Sequence, residues 1–329
     1  MWFLENPFVV LTICGSALYK DLILSNVGSQ ELNRLIMSHD PTEILNFYMH
    51  FEDQKELVQW MMNRPKGRAD IYEVGGPKDI IVVIPTKSHD SVGARNCSES
   101  IFKGFHIIFV ESGEDDQFFN YASNCNIGVT AALRYDPKWI ILSNDDMVKI
   151  DDPSVIRKNL SNVDACKVSS VFTEIAMYHS YPVFLGYPNW VRNAFFYLSN
   201  QDNRMQIALE KKFGVDVVVQ YFGDIQRRLF KSYTTVLNVG AFGIFSSGYI
   251  RNIGGKLFDD IYLNEFEELE LSYNLRHSKL ETATIPYRIG DMVGTTLGKT
   301  TVRKYRAIAS RSYFNYKIKN GLLRFETDL

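Results

Sequence analysis

The sequence predicts an α/β fold in which a mixed sheet with a parallel core is flanked by helices. Three apolar runs carry that prediction: Ile80-Ile81-Val82-Val83-Ile84, Phe105-His106-Ile107-Ile108-Phe109-Val110 and Trp139-Ile140-Ile141-Leu142-Ser143. Runs of this length, rich in β-branched residues, suit strands buried on both faces of a parallel sheet. Each run ends in polar or acidic residues: Pro85-Thr86, then Glu111-Ser112-Gly113-Glu114-Asp115-Asp116, then Asn144-Asp145-Asp146. In open α/β sheets ligands bind at that edge.

Taken in order, residues 1–78 read as a mostly helical layer. Asp40-Pro41-Thr42-Glu43 is a helix start: Asp40 accepts from first-turn amides, Pro41 needs no donor there, and Glu43 occupies the capping-box position. Ile44, Leu45 and Tyr48, then Leu57, Val58 and Met61, follow helical spacing. Asn63-Arg64-Pro65-Lys66-Gly67 and Gly75-Gly76-Pro77 break the chain before the first strand. Residues 79–298 form the central domain. Asp151-Asp152-Pro153 reads as a cap. Near Glu265-Phe266-Glu267-Glu268-Leu269-Glu270-Leu271 a helix would turn Phe266, Leu269 and Tyr273 inward and leave Glu267 and Glu268 at its start. Residues 299–329 form a helical extension.

Of the 329 residues, 46% are apolar and 22% charged, a globular composition. The net charge of −2 excludes a global basic surface for nucleic acid. Between Asp291 and Glu326 there is no acid, whereas Lys299, Arg303, Lys304, Arg306, Arg311, Lys317, Lys319 and Arg324 are basic. Such a tail suits phosphate groups or an anionic membrane surface, or simply a solvated helix face. Cys14, Cys97, Cys125 and Cys166 make no C-x-x-C pair, which favours a reducing, cytoplasmic setting. The Met1–Asn6 start lacks a basic n-region, and Phe8–Leu18 is too short for a span of roughly 20 residues. The expectation is a cytoplasmic protein, with peripheral membrane contact as an alternative.

Asn144-Asp145-Asp146 is the strongest chemical signal. Adjacent carboxylates at a strand mouth suit a hard divalent cation that keeps waters and phosphate oxygens in its shell. Glu111 is placed to accept from a base or ribose. Glu267 and Glu268 gain from the helix dipole, and burial would bring a carboxylate there into the range of a general base. Gly290–Gly298 lacks the Walker lysine pattern; as a closing loop it would bring Lys299 and Arg303 near a diphosphate. His89, His106 and His179 are isolated and read as packing or surface residues. Eight aromatics between Met177 and Leu198 suit a core or a subunit interface in a homo-oligomer, or an acceptor surface.

In this order the pieces resemble the inverting family-2 glycosyltransferases with the GT-A fold. The matching segments are Ile84-Pro85-Thr86, Glu111 to Asp116, a helix start at Cys125-Asn126-Ile127-Gly128, and Asn144-Asp145-Asp146 in place of D-x-D. Further on come Gly240-Ala241-Phe242-Gly243, Gly254-Gly255 to Asp259, and Glu267-Glu268-Leu269-Glu270-Leu271, so the likeness spans about residues 79–275. It implies transfer, with inversion, from a nucleotide-diphosphate sugar donor to a glycan or lipid-linked acceptor hydroxyl. Pro85, Thr86, Glu111, Asn126, Asn144 and Asp145 would line the donor. Asp146 would hold Mg²⁺ or Mn²⁺, and Glu268, with Glu267 beside it, would be the base.

The chain departs from that pattern in three places. Glu268 and Glu111 stand where the family has aspartate, and the histidine ligand after the E-D helix has no counterpart; Asp291 is its candidate replacement. These departures motivate an alternative, a catalytically degenerate transferase fold that binds nucleotide sugar or serves assembly. A sugar-phosphate nucleotidyltransferase is disfavoured, because Pro85-Thr86-Lys87-Ser88-His89 lacks the glycine-rich basic loop after the first strand.

Overall fold

The computed structural model describes residues 30–113, 118–176, 181–184, 202–215, 218–219, 234–236, 241–263, 265–276, 278, 280–291 and 301–323. The three apolar runs are strands: β2 (Ile80–Thr86), β3 (His106–Glu111) and β4 (Trp139–Ser143), with β2 central and parallel to both neighbours. Alternation along them decides which face each side chain serves. Val82, Ile107 and Ile141 enter one core, and Ile81, Ile108 and Ile140 enter the core on the opposite face.

Strands of both directions extend this parallel centre. β1 (Asp70–Val74) pairs with β3 at one edge. The sheet therefore begins inside the segment that the sequence assigns to a helical layer. Toward the other edge follow β10 (Phe242–Ser246), β6 (Val168–Ala176), β11 (Glu281–Asp291) and β5 (Met147–Lys149), giving the order β1-β3-β2-β4-β10-β6-β11-β5. A separate small sheet joins β7 (Tyr181–Phe184), β8 (Val218–Val219) and β9 (Thr234–Val236). Most of the aromatic segment Met177–Leu198 lies outside the described residues.

A helical layer has a core of its own. It is built from α1 (30–37), α2 (Pro41–Met49), α3 (Gln54–Asn63), α7 (Asp202–Lys212) and α10 (Thr301–Lys319). Asp40 caps α2 by accepting from Thr42 N at 2.8 Å. Glu43 makes no reciprocal bond there; its carboxylate goes to Arg34 at 2.7 Å instead. Ile44, Phe47 and Tyr48 form the buried stripe of α2. The Tyr48 hydroxyl donates to Tyr305 O at 2.6 Å and accepts from Ala309 N at 3.0 Å. It thus stands inside the i to i+4 ladder of α10, a route by which a side chain bends a helix.

The basic extension proves largely inward-facing. Arg306 donates to the carbonyls of Ile36, Met37 and Ser38, Arg311 pairs with Glu210, and Arg303 pairs with Glu265. Lys317 meets Asp259 at 2.8 Å and Glu270 at 2.6 Å. Those four cations fasten α10 to the body of the protein rather than forming a solvated basic face. Among the described residues, no helix is long and apolar enough to cross a membrane.

Candidate active site

The parallel register aligns Thr86 of β2 with Glu111 of β3, so the polar strand ends lie side by side. Pro85 is buried at the end of β2, past Val83, where the pairing with β4 stops; its missing N–H costs no ladder bond there. Thr86 Oγ1 donates to Asp145 Oδ2 at 2.7 Å and so joins the first strand end to the acidic turn after β4. Burial raises the Asp145 carboxyl above its ordinary range; the Thr86 bond opposes that rise and the Asp146 charge adds to it.

The turn 144–146 is held from behind. Asn144 N donates to Ala241 O at 2.9 Å, and the Cys97 thiol lies 3.8 Å from the carbonyls of Asn144 and Asp145. The short helix α4 (Val92–Asn96) presses on the same backbone: a Cβ at Gly93 would stand 2.4 Å from Asp145 O. Only glycine permits that approach.

The register of β5 on β11 sets Asp291 opposite Met147, one residue beyond Asp146. Burial and the Asp146 charge push the Asp291 carboxyl up to about 6. Asp145, Asp146 and Asp291 thus act electrostatically as one cluster. Among the described residues, no three His, Cys, Asp or Glu side chains form a metal cage of their own. The donor type suits a hard cation such as Mg²⁺ or Mn²⁺, since Asp145, Asp146 and Asp291 offer carboxylate oxygens in a partly desolvated place.

Glu111 is engaged differently from expectation. His89 sends both its amide (2.9 Å) and ring Nδ1 (2.6 Å) to Glu111 Oε2, and those bonds hold the carboxyl below its usual range. The His89 ring stacks on Tyr72 of β1 with centroids 3.8 Å apart. His89 is therefore part of the site rather than an isolated surface residue. The signal was present as a histidine three residues after Thr86, but the stacking partner came from a strand that was not foreseen. His106 is likewise partnered, with Glu73 at 2.9 Å.

Asn126 does not line the strand ends. It lies buried within α5 (Tyr121–Leu133), which starts at the Asn120 cap and not at Cys125. Its Nδ2 donates to Phe258 O, and its Oδ1 accepts from the amides of Leu257 and Phe258. Asn126 thus clamps the turn that follows Gly254 and Gly255, whose φ values of +90° and +81° require glycine. Tyr121, missed in the sequence, takes a place at the site: its hydroxyl donates to Asn144 Oδ1 at 2.8 Å.

The same face of α5 reaches α9 (Glu267–Arg276). Burial pushes the Cys125 thiol well up; its Tyr121 contact opposes the rise, and the charges of Glu267 and Glu268 add to it. Both glutamates therefore lie within electrostatic reach of a cysteine one helical turn from Tyr121. They are not equivalent. Glu267 is 2% exposed and burial drives its carboxyl well above the ordinary range. Glu268 keeps partial solvent access, and burial raises it to about 7, with Arg303 pulling the other way.

Backbone strain marks this turn. Glu265 and Phe266 sit at φ +68° and +76°, in the left-handed region that non-glycine residues rarely occupy. Two such residues cost about 1–3 kcal/mol each. Helix α10 offsets that cost through the Arg303–Glu265 pair, Phe314 packed 5.3 Å from Phe266, and Lys317 on Glu270. Arg303 therefore anchors the glutamate turn, while Lys299 lies outside the described residues. No known protein-family model matches the chain, and no curated protein does.

Proposed function

We propose that the chain is a metal-dependent inverting glycosyltransferase of the GT-A type, moving a sugar from a nucleotide-diphosphate donor to a hydroxyl on a glycan or lipid-linked acceptor. The observation that carries this reading is the register of β5 on β11, which brings Asp291 beside Asp146 at the edge where Thr86, Glu111 and Asp145 also end. Asp146 and Asp291 are the residues that would hold Mg²⁺ or Mn²⁺. A divalent cation, when bound there, supplies neutralisation of the charge that develops on a diphosphate leaving group.

The chain's own residues account for the remaining roles. Thr86 fixes Asp145 toward the donor, and Tyr121 fixes Asn144. Glu268 takes the proton from the acceptor hydroxyl as the new anomeric C–O bond forms and the bond to the diphosphate breaks. A carboxyl near 7 is matched to that task at neutral pH, and general-base catalysis contributes on the order of 10²–10⁴-fold. Glu267, buried beside it with its carboxyl pushed well above the ordinary range, is the less accessible carboxyl of the two.

A second reading has one observation in its favour. Glu111 is already occupied by His89, so the base pocket is closed unless the ring moves. A binding or assembly module would tolerate that. Calorimetric titration of UDP, GDP and dTDP, with and without Mn²⁺, on the wild type and Asp146→Ala, tests both. The transferase reading expects metal-dependent binding of one nucleotide, lost in Asp146→Ala. Binding without transfer or hydrolysis supports the module, and no binding in any condition removes the basis of the transferase reading and leaves the assembly role.

A further inference from the structure

The place beside Glu111 is filled by a side chain that imitates a base. The register of β1 on β3 sets Tyr72 opposite Phe109 and Asp70 opposite Glu111, so Tyr72 and Glu111 leave the same face of the sheet. The His89 ring bridges them. It stacks on Tyr72 with centroids 3.8 Å apart and planes 17° apart, and its Nδ1–H donates to Glu111 Oε2 at 2.6 Å. A flat ring that stacks on an aromatic face and donates along its edge makes the two contacts by which nucleobases are held.

The ring is able to leave without undoing the place it fills. The His89 amide also donates to Glu111 Oε2, at 2.9 Å, and that backbone bond contributes most to keeping the carboxylate ionised. Ser112 N and Gly113 N donate to Thr86 O and Lys87 O, so the loops after β2 and β3 stay joined. Tyr72 is 47% exposed and the His89 side chain 28%, and the far nitrogen of the ring already faces the exposed Asp90 at 3.6 Å. Rotation about Cα–Cβ therefore carries the ring into solvent.

Glu111 also discriminates between bases. Among the described residues only His89 donates to its side chain, so the ring's departure frees Oε2 beside an unengaged Oε1. A carboxylate accepts and never donates. Guanine presents two adjacent N–H donors and engages both oxygens, the paired geometry of the strong charge-assisted bonds. Uracil and thymine present one N–H between two carbonyl oxygens, and adenine and cytosine set a ring acceptor beside their amine. Each of those four turns a lone pair toward the carboxylate.

We propose that His89 holds the base subsite closed, that guanine displaces its ring from Tyr72, and that Glu111 then selects guanine through both oxygens. The inference rests on the transferase reading and deepens it by naming the donor class, a guanosine-diphosphate sugar.

Two measurements on the full chain test it. NMR follows the His89 Cε1–H proton, assigned by its loss in His89→Ala, as guanosine is added at millimolar concentration without metal. Held over the Tyr72 ring, that proton resonates upfield, and guanosine should move it to the position of a free histidine. Calorimetry then titrates GDP, UDP, ADP and CDP with Mn²⁺. GDP should bind at least about tenfold tighter than the others. Tyr72→Ala should weaken GDP at least about fivefold and Tyr72→Phe should not, since the stacking face decides. His89→Ala should tighten it at least about threefold, since no ring has to be displaced. Each variant should melt cooperatively. A His89 proton that guanosine leaves in place or shifts further upfield, unchanged GDP binding in Tyr72→Ala, or weaker binding in His89→Ala would each overturn the inference. Preference for another nucleotide, with metal dependence lost in Asp146→Ala, would overturn it and leave the transferase reading standing. No nucleotide binding in any condition would overturn both.

Discussion

Replacing Gly93 by alanine tests how the acidic turn is built. Two effects compete. In α4 the change should help the helix by about 1 kcal/mol, because alanine loses less backbone entropy than glycine. The added Cβ would lie 2.4 Å from Asp145 O, however, where contacts under 3.0 Å do not occur. Helix and turn must therefore separate by roughly 0.6 Å. The turn cannot yield freely, since Asn144 N is bonded to Ala241 O and Asp145 to Thr86. Overpacking of this kind costs about 1–3 kcal/mol, so the clash outweighs the propensity gain. The expected outcome is a net loss of up to about 2 kcal/mol in urea unfolding with an unchanged m-value, and Mn²⁺ affinity reduced about tenfold by titration. Val92→Ala, one residue earlier and 78% exposed, is the control and should change neither. A Gly93→Ala protein as stable as the wild type, with Mn²⁺ binding intact, would refute the close approach and the rigidity argued for the turn.

Four further outcomes follow from other parts of the structure. Asp291→Asn should abolish the rise in melting temperature that Mn²⁺ or Mg²⁺ produces, read by calorimetry with and without chelator, while the nucleotide alone binds no better. Glu268 ionises near 7 in the folded chain and near 4.5 when unfolded, so the folded state holds more protons between those values. Stability should therefore fall by about 1–3 kcal/mol as pH rises from 4.5 to 7 and level off above it, a fall that Glu268→Gln removes; transfer activity should rise over the upper part of that interval, since the base must be ionised. Asn126→Leu deletes three hydrogen bonds to the Leu257–Phe258 backbone and should cost about 2–4 kcal/mol in denaturant unfolding, with nucleotide affinity of the folded fraction unchanged. Lys317→Met strands Asp259 and Glu270 and should cost about 3–5 kcal/mol, with much of that recovered when Glu270→Leu is added.

The parallel centre of the fold was legible because burial on both faces leaves a plain trace: Ile80–Ile84 and Trp139–Leu142 contain no polar residue to obscure it. The edge strand Asp70–Val74 was not, since its residues are largely exposed and mix charge with Ile71, Tyr72 and Val74 in no helix or core pattern. The acidic turn and the glutamate helix start could be placed from local signals. Which side chain met which could not. Asn126 reads like a ligand-binding asparagine, yet its amide is committed to a backbone 131 residues away in sequence. The four cations of α10 look like a solvated or lipid-facing stripe until their partners are known: Glu210, Asp259, Glu265 and Glu270 for Arg311, Lys317 and Arg303, and the carbonyls of residues 36–38 for Arg306. Charge pairing across long separations leaves no local periodicity to read.

The pairing of β5 with β11 has a bearing on how the chain matures. Asp146 sits near the middle of the sequence and Asp291 more than a hundred residues later, and the last of the described strands sets them together. Closing so long a loop is entropically slow and is rewarded late in folding. A nascent or truncated chain ending before Glu281 would possess the parallel centre and the Asn144-Asp145-Asp146 turn, yet lack half of the carboxylate pair. Divalent affinity would therefore report completion of the sheet, and added Mn²⁺ should slow unfolding more than it speeds the early steps of refolding. The ion would act as a latch on the final strand, so that in a cell poor in it the protein would be synthesised to full length but held less firmly closed.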